Sequence, residues 1–81
     1  MKISSKNQNS ITPLFIETND GKKFEISGEL IKGGYSAYKD SLVLIVQGNQ
    51  IKLNEIDKDR YTIQMLEEFK KENVPTKFEI S

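Results

Sequence analysis

Hydrophobic and polar positions alternate with a period of two after a polar N-terminal stretch, which is the pattern of half-buried β-strands. The first alternating segments cover residues 11–18 and 22–27 and flank Asn19-Asp20-Gly21. A three-residue loop there places four apolar side chains on one face, whereas a two-residue Asp20-Gly21 turn separates them. The four side chains form two cross-strand pairs, Ile16 with Phe24 and Leu14 with Ile26. We therefore predict a hairpin with the three-residue loop.

A second alternating pair of segments, residues 41–47 and 50–56, flanks Gly48-Asn49. These two residues predict a tight turn of the primed type, which pairs Val46 with Ile51. The register gives the hairpin a core face of five aliphatic residues: Leu42, Leu44, Val46, Ile51 and Leu53.

Val43 and Ile45 point away from that core face, so their strand is apolar on both sides. Such a strand is usually central, or its second face is covered. Two interpretations are open. Either the N-terminal arm or residues 28–40 cover the two side chains, or Val43 and Ile45 form a face for a partner or for a second copy of the chain.

The period changes to that of a helix over residues 60–73, with Asp57 or Asp59 as the predicted N-cap. Four apolar residues form a stripe that is expected to face the sheet: Tyr61, Met65, Leu66 and Phe69. Ile63 lies outside the stripe. Pro75 ends the helix, because the residue before a proline resists the helical conformation.

A final alternating segment, residues 76–81, predicts a C-terminal strand with Phe78 and Ile80 on one face. The predicted order is β-β-β-β-α-β, an α+β fold in which one amphipathic helix packs on one face of a small antiparallel sheet. Residues 1–81 are expected to form a single domain, the size of which allows one modest core. Residues 1–10 form a polar arm, either disordered or ordered as an edge strand.

The amino-acid composition excludes several kinds of active site and metal site. Cysteine and histidine are both absent, so thiolate chemistry, thiolate metal sites and the commonest general base are excluded. We predict no catalytic residues, no metal site and no cofactor. Twelve basic and twelve acidic residues cancel, which makes nucleic acid an unlikely partner by charge. No apolar segment is long enough for a signal peptide or a membrane span, so the expected location is cytoplasmic, with no membrane partner.

Residues 28–40, GELIKGGYSAYKD, connect the two predicted hairpins and combine glycines, tyrosines and lysines. One interpretation is a long connection whose apolar side chains dock onto the core. The other is an exposed partner-binding patch, since tyrosine supplies large amphipathic contact area at little entropic cost. The residues of this candidate patch are Lys32, Tyr35, Tyr38 and Lys39. Tyr35 is expected to be the more exposed tyrosine, because Gly33 and Gly34 directly before it would let the chain stand away from the sheet.

Residues 9–27 carry an Asn-Ser-Ile-Thr entry, an aliphatic pair, an Asp-Gly turn and an exiting Ile-Ser. In these features the hairpin resembles that of small phage anti-CRISPR proteins that inhibit Cas9. The resemblance implies a short protein of a mobile element that occludes a larger one, with a CRISPR effector as the partner. This chain departs from that family in being neutral, because the family resembles an acidic DNA mimic.

The sequence thus favours a small non-enzymatic protein-binding module, an inhibitor encoded by a phage or mobile element that occludes a larger host protein. Two alternatives are open. One is a small nucleic-acid-binding protein that uses the sheet face or the Tyr/Lys loop. The other is a structural component of a phage or secretion assembly, and self-association through Val43 and Ile45 would favour it.

Overall fold

The computed structural model describes residues 1–5 and 13–81. Within these residues it contains eight strands of four residues each, a 3₁₀ turn at Lys39–Ser41 and one helix, α1, at Glu55–Glu72. The strands are β1 Lys2–Ser5, β2 Leu14–Glu17, β3 Lys23–Ile26, β4 Gly28–Ile31, β5 Gly34–Ala37, β6 Val43–Val46, β7 Asn49–Lys52 and β8 Lys77–Ile80.

Two sheets are formed. The larger has five antiparallel strands in the order β1-β2-β3-β6-β7, and the smaller has three in the order β4-β5-β8. The predicted α+β class, with one helix and a C-terminal strand, is confirmed. The C-terminal strand does not join the main sheet. After the helix, β8 lies beside β5 and pairs with it in parallel.

The first predicted hairpin is confirmed in its register. Ile16 lies opposite Phe24 and Leu14 opposite Ile26. The Thr18 N–H donates to the Lys22 carbonyl at 2.9 Å, which leaves residues 19–21 as the three-residue loop. Local sequence decides this register because only one loop length buries all four apolar side chains.

The second hairpin forms, but its predicted turn is wrong. The turn residues are Gln47 and Gly48, with φ of 51° and 81°, and Val46 lies opposite Asn49 rather than Ile51. A type I′ turn favours glycine at its second central position, which Gly48 occupies. The register differs by two residues from the predicted one, so each side chain keeps its predicted face.

Residues 28–40 are not a simple connection, because β4 and β5 form a third hairpin that turns at Lys32 and Gly33. The next glycine has a different role. A Cβ added to Gly34 would lie 1.9 Å from the Lys77 carbonyl oxygen, so this position permits the close approach of β8. Gly33 therefore belongs to a turn and Gly34 to a strand contact.

The helix begins earlier than predicted, and neither Asp57 nor Asp59 is its N-cap. Asn54 is the cap, and its Oδ1 accepts a hydrogen bond from the Asp57 N–H at 2.8 Å. The helix ends at Glu72, followed by Asn73 in the left-handed conformation, two residues before Pro75. Aspartate and asparagine are equivalent capping residues, so composition alone does not choose between them.

The core lies where α1 packs on the inner faces of both sheets. The Tyr61 ring contacts Phe24 of the larger sheet, with centroids 4.9 Å apart, and Phe69 contacts Phe78 of the smaller sheet at 5.3 Å. The buried apolar residues come from both sheets, the helix and the segment before β6: Leu14, Ile16, Phe24, Ile26, Tyr35, Ala37, Leu42 and Met65. The predicted helix stripe is thus the packing face, and Ile63 is exposed as expected.

The first five residues of the predicted N-terminal arm are ordered. They form the edge strand β1, which pairs with β2 so that Ile3 lies opposite Ile16. Residues 6–10 of the arm, and residues 11 and 12 of the first predicted strand, lie outside the described residues.

Candidate interaction surface

The two tyrosines of the predicted patch point in opposite directions. Tyr35 and Ala37 face the core from β5, and side chains on a strand alternate between faces, so Tyr38 faces outward. Tyr35 is 8% exposed and Tyr38 is 43% exposed. The prediction that Tyr35 is the more exposed tyrosine is therefore wrong. Burial also raises the pKa of the Tyr35 hydroxyl.

The outward members of the patch are tied to other side chains. The Tyr38 hydroxyl donates a hydrogen bond to Glu29, and this bond raises the tyrosine pKa. The Lys39 ammonium lies 2.6 Å from Asp59 Oδ1, an ion pair that raises the lysine pKa. Lys32 lies at the β4–β5 turn, at the opposite end of β5 from Lys39. The four residues thus do not form one continuous patch.

The larger sheet has a second face, which we call the outer face, on the side away from α1. It consists of two cross-strand rows of side chains. The first row is Lys2, Glu17, Lys23, Ile45 and Gln50, and the second is Ser4, Phe15, Glu25, Val43 and Lys52. None of these side chains is buried, in contrast to the inner residues of β2 and β3.

Val43 and Ile45 lie on this outer face and are half-buried. Neither proposed cover is present in the described part of the chain. β1 extends the edge of the sheet, and residues 28–40 build the smaller sheet. Phe15 is a third half-buried apolar side chain on this face. The three apolar residues are therefore partly accessible between charged neighbours.

The charges of the outer face have mixed signs. Lys23 lies opposite Glu17 on one side and Ile45 on the other, and Glu25 lies opposite Phe15 and Val43. The Gln50 side chain donates a hydrogen bond to Glu25 Oε2 at 2.5 Å. A shallow groove of about 470 Å³ runs across the first row and is lined by Phe15 and Ile45 among lysines and Glu17. This arrangement offers small apolar contacts surrounded by polar groups of both signs.

The sequence prediction included Val43 and Ile45 but omitted Phe15. The predicted register of the first hairpin already indicated Phe15, because a register that buries Leu14 and Ile16 places Phe15 on the opposite face. An aromatic residue at a polar-facing position of an alternating strand indicates an unpartnered surface.

The most strongly perturbed carboxylate lies outside this face, in the β2–β3 loop. The Lys22 ammonium, 2.7 Å away, and the Thr18 hydroxyl, at 2.5 Å, hold the pKa of Asp20 well below its usual range. These bonds close the three-residue loop, so they account for the shift without a catalytic role.

No three acidic side chains within residues 1–5 and 13–81 are grouped so that they could hold a metal ion. In the same part of the chain, α1 is too polar to cross a membrane. Comparisons with protein-family models, with curated proteins and with solved structures found no match for this chain.

Proposed function

We propose that this chain is a non-enzymatic protein-binding module that docks a larger protein on the outer face of its five-stranded sheet. One observation carries the proposal. Phe15, Val43 and Ile45 lie on a sheet face that no element of the described chain covers. Apolar side chains that a small domain leaves accessible together on one face mark an interaction surface.

The composition of the face favours a protein as the partner. Aromatic and aliphatic contacts surrounded by a polar rim are the usual anatomy of a protein interface. The lysines at positions 2, 23 and 52 alternate with Glu17 and Glu25, so the face lacks the continuous positive charge that a nucleic-acid backbone requires. A partner with mixed charges and an apolar centre fits better than a polyanion.

The proposed action is occlusion, by which the module occupies a surface that the larger protein needs. Support comes from the small size of the chain and from the resemblance of residues 9–27 to anti-CRISPR proteins, which makes a CRISPR effector the proposed target. The described part of that segment is the β2–β3 hairpin, which contributes Phe15 and Glu17 to the outer face. We propose a phage or mobile-element origin on the same basis.

The test is a binding comparison of two glutamate substitutions. Ile45→Glu places a charge on the outer face between Lys23 and Gln50, the residues directly opposite it on the two neighbouring strands. Ile63→Glu is the matched control, since Ile63 is an exposed residue of α1 on the opposite side of the molecule.

The immobilised wild-type chain captures its partner from a lysate of the host, and the purified partner is then titrated with each variant. We expect Ile45→Glu to weaken binding by about 2 kcal/mol or more, the effect of losing an interface anchor, and Ile63→Glu to leave it unchanged. Equal affinity of wild type and Ile45→Glu would contradict the proposal, as would the absence of any captured protein. Thermal melts confirm that both variants are folded.

A further inference from the structure

The strand β7, Asn49–Lys52, is the last strand of the larger sheet. It hydrogen bonds to β6 on one side, and in the described part of the chain no strand pairs with its other side. All four of its residues are exposed. An edge of this kind presents unpaired N–H and C=O groups that can pair with another strand. β7 has neither proline nor a bulge to prevent such pairing, and its one charged residue is Lys52.

Apolar side chains lie along this edge on the inner face of the sheet. Ile51 is 43% exposed and Val46, from the adjacent strand, is 46% exposed. Leu44 lies opposite Ile51 and is half-buried. The helix covers β3, which β6 separates from β7, and Tyr61 packs there on Phe24. Ile51 and Val46 stay partly uncovered. A strand added at the β7 edge would bring further side chains against Ile51.

We propose that the occupant is a second copy of this chain, which pairs its β7 with this β7 in antiparallel fashion around a two-fold axis. The sequence of the strand selects the register. With Ile51 opposite Ile51 of the second copy, Gln50 lies opposite Lys52 of that copy, so two aliphatic residues meet and no like charges do. Shifting the centre to Lys52 opposes two lysines, and shifting it to Gln50 places Ile51 opposite Asn49.

This pairing has a geometrical consequence. An antiparallel contact between equivalent strands has its two-fold axis perpendicular to the sheet, so two five-stranded sheets become one of ten strands. The outer faces of both copies then lie on the same side. The dimer does not depend on the function proposed for the outer face, and it would present that face twice.

The contact involves one short strand per copy, so its buried area lies below that of a standard interface and the dimer is weak. Sedimentation equilibrium over a concentration series from about 10 μM to about 1 mM is therefore the suitable measurement. We expect the mass of the wild-type chain to rise from that of the 9.3 kDa monomer towards twice that value.

Charge substitution at the centre of the contact tests the register. Ile51→Lys and Ile51→Glu each place two like charges opposite one another. We expect the association constant of each variant alone to fall at least tenfold. A one-to-one mixture of the two variants opposes lysine to glutamate and is expected to associate again. Ile63→Lys is the matched control, an equally drastic change at an exposed residue of α1, and should associate like the wild type.

A wild-type chain that stays monomeric throughout the series would overturn the proposal. So would undiminished association of Ile51→Lys, or a mixture of the charged variants that stays monomeric. Circular dichroism melts of the charged variants verify that loss of association is not loss of fold. Association lost in Ile45→Glu but kept in Ile51→Lys would place the contact between copies on the outer face instead.

Discussion

Replacing Tyr35 of β5, or Tyr38 just after β5, by serine should separate a core residue from a surface residue. Tyr35 is 8% exposed and belongs to the buried cluster. A buried aromatic side chain removes roughly 150 Å² or more from water, which at about 25 cal/mol per Å² corresponds to about 4 kcal/mol. Measured losses for emptying buried aromatic sites are about 3–5 kcal/mol. We therefore expect Tyr35→Ser to lower the free energy of unfolding by about 4 kcal/mol.

Tyr38→Ser is the control, because Tyr38 is 43% exposed and loses mainly its hydrogen bond to Glu29. We expect a loss of about 1 kcal/mol or less for an exposed bond of this kind. Urea titrations of the wild type and both variants, analysed with a common slope, measure the difference. Equal losses for the two variants, or a loss below about 1 kcal/mol for Tyr35→Ser, would refute the assignment of Tyr35 to the core.

Three further changes test local features of the fold. Asn54→Ala removes the helix N-cap and should cost about 1 kcal/mol in a denaturant titration; an unchanged midpoint would contradict the cap. Gln47→Asn should raise stability by about 0.5–1 kcal/mol, because Gln47 has a φ of 51° that asparagine adopts more readily, and a loss would argue against the primed turn. Asp20→Asn should lower the melting temperature at pH 6. The pKa of Asp20 is lowered by Lys22 and Thr18, so its contribution is present above the usual value of 3.8 and is lost as the pH falls below it. The gap between wild type and variant should therefore shrink at pH 2.5, and a constant gap would contradict the loop contacts.

The register of β2 and β3 was predictable because four apolar side chains share one face in one register only. The β6–β7 turn was less predictable, because glutamine is not a residue type that indicates a positive φ, yet Gln47 has one. The two registers differ by two residues and place the same side chains on each face of the sheet, so the hydrophobic pattern does not distinguish them. The faces were therefore predictable where the turn was not.

The β4–β5 hairpin could not be predicted because both of its strands contain glycine, which weakens the strand pattern. It also pairs with a strand distant in sequence, since β5 lies beside β8 with Gly34 opposite Lys77. Without that strand, the sequence pattern places Tyr35 in a loop, and its burial follows only once the alternation of β5 is known. The candidate face at Val43 and Ile45 was predictable from a strand that is apolar on both sides, while its lack of cover depended on where the other elements pack.

The most direct test of the proposed binding face is site-specific photo-crosslinking in host lysate. A photoreactive phenylalanine analogue replaces Phe15 on the outer face in one variant and Tyr38, the exposed tyrosine that follows β5, in another. We expect a covalent adduct with one larger protein from position 15, suppressed by excess wild-type chain, and no such adduct from position 38. An adduct from position 38 without one from position 15 would contradict it and move the binding site to the Tyr38 surface.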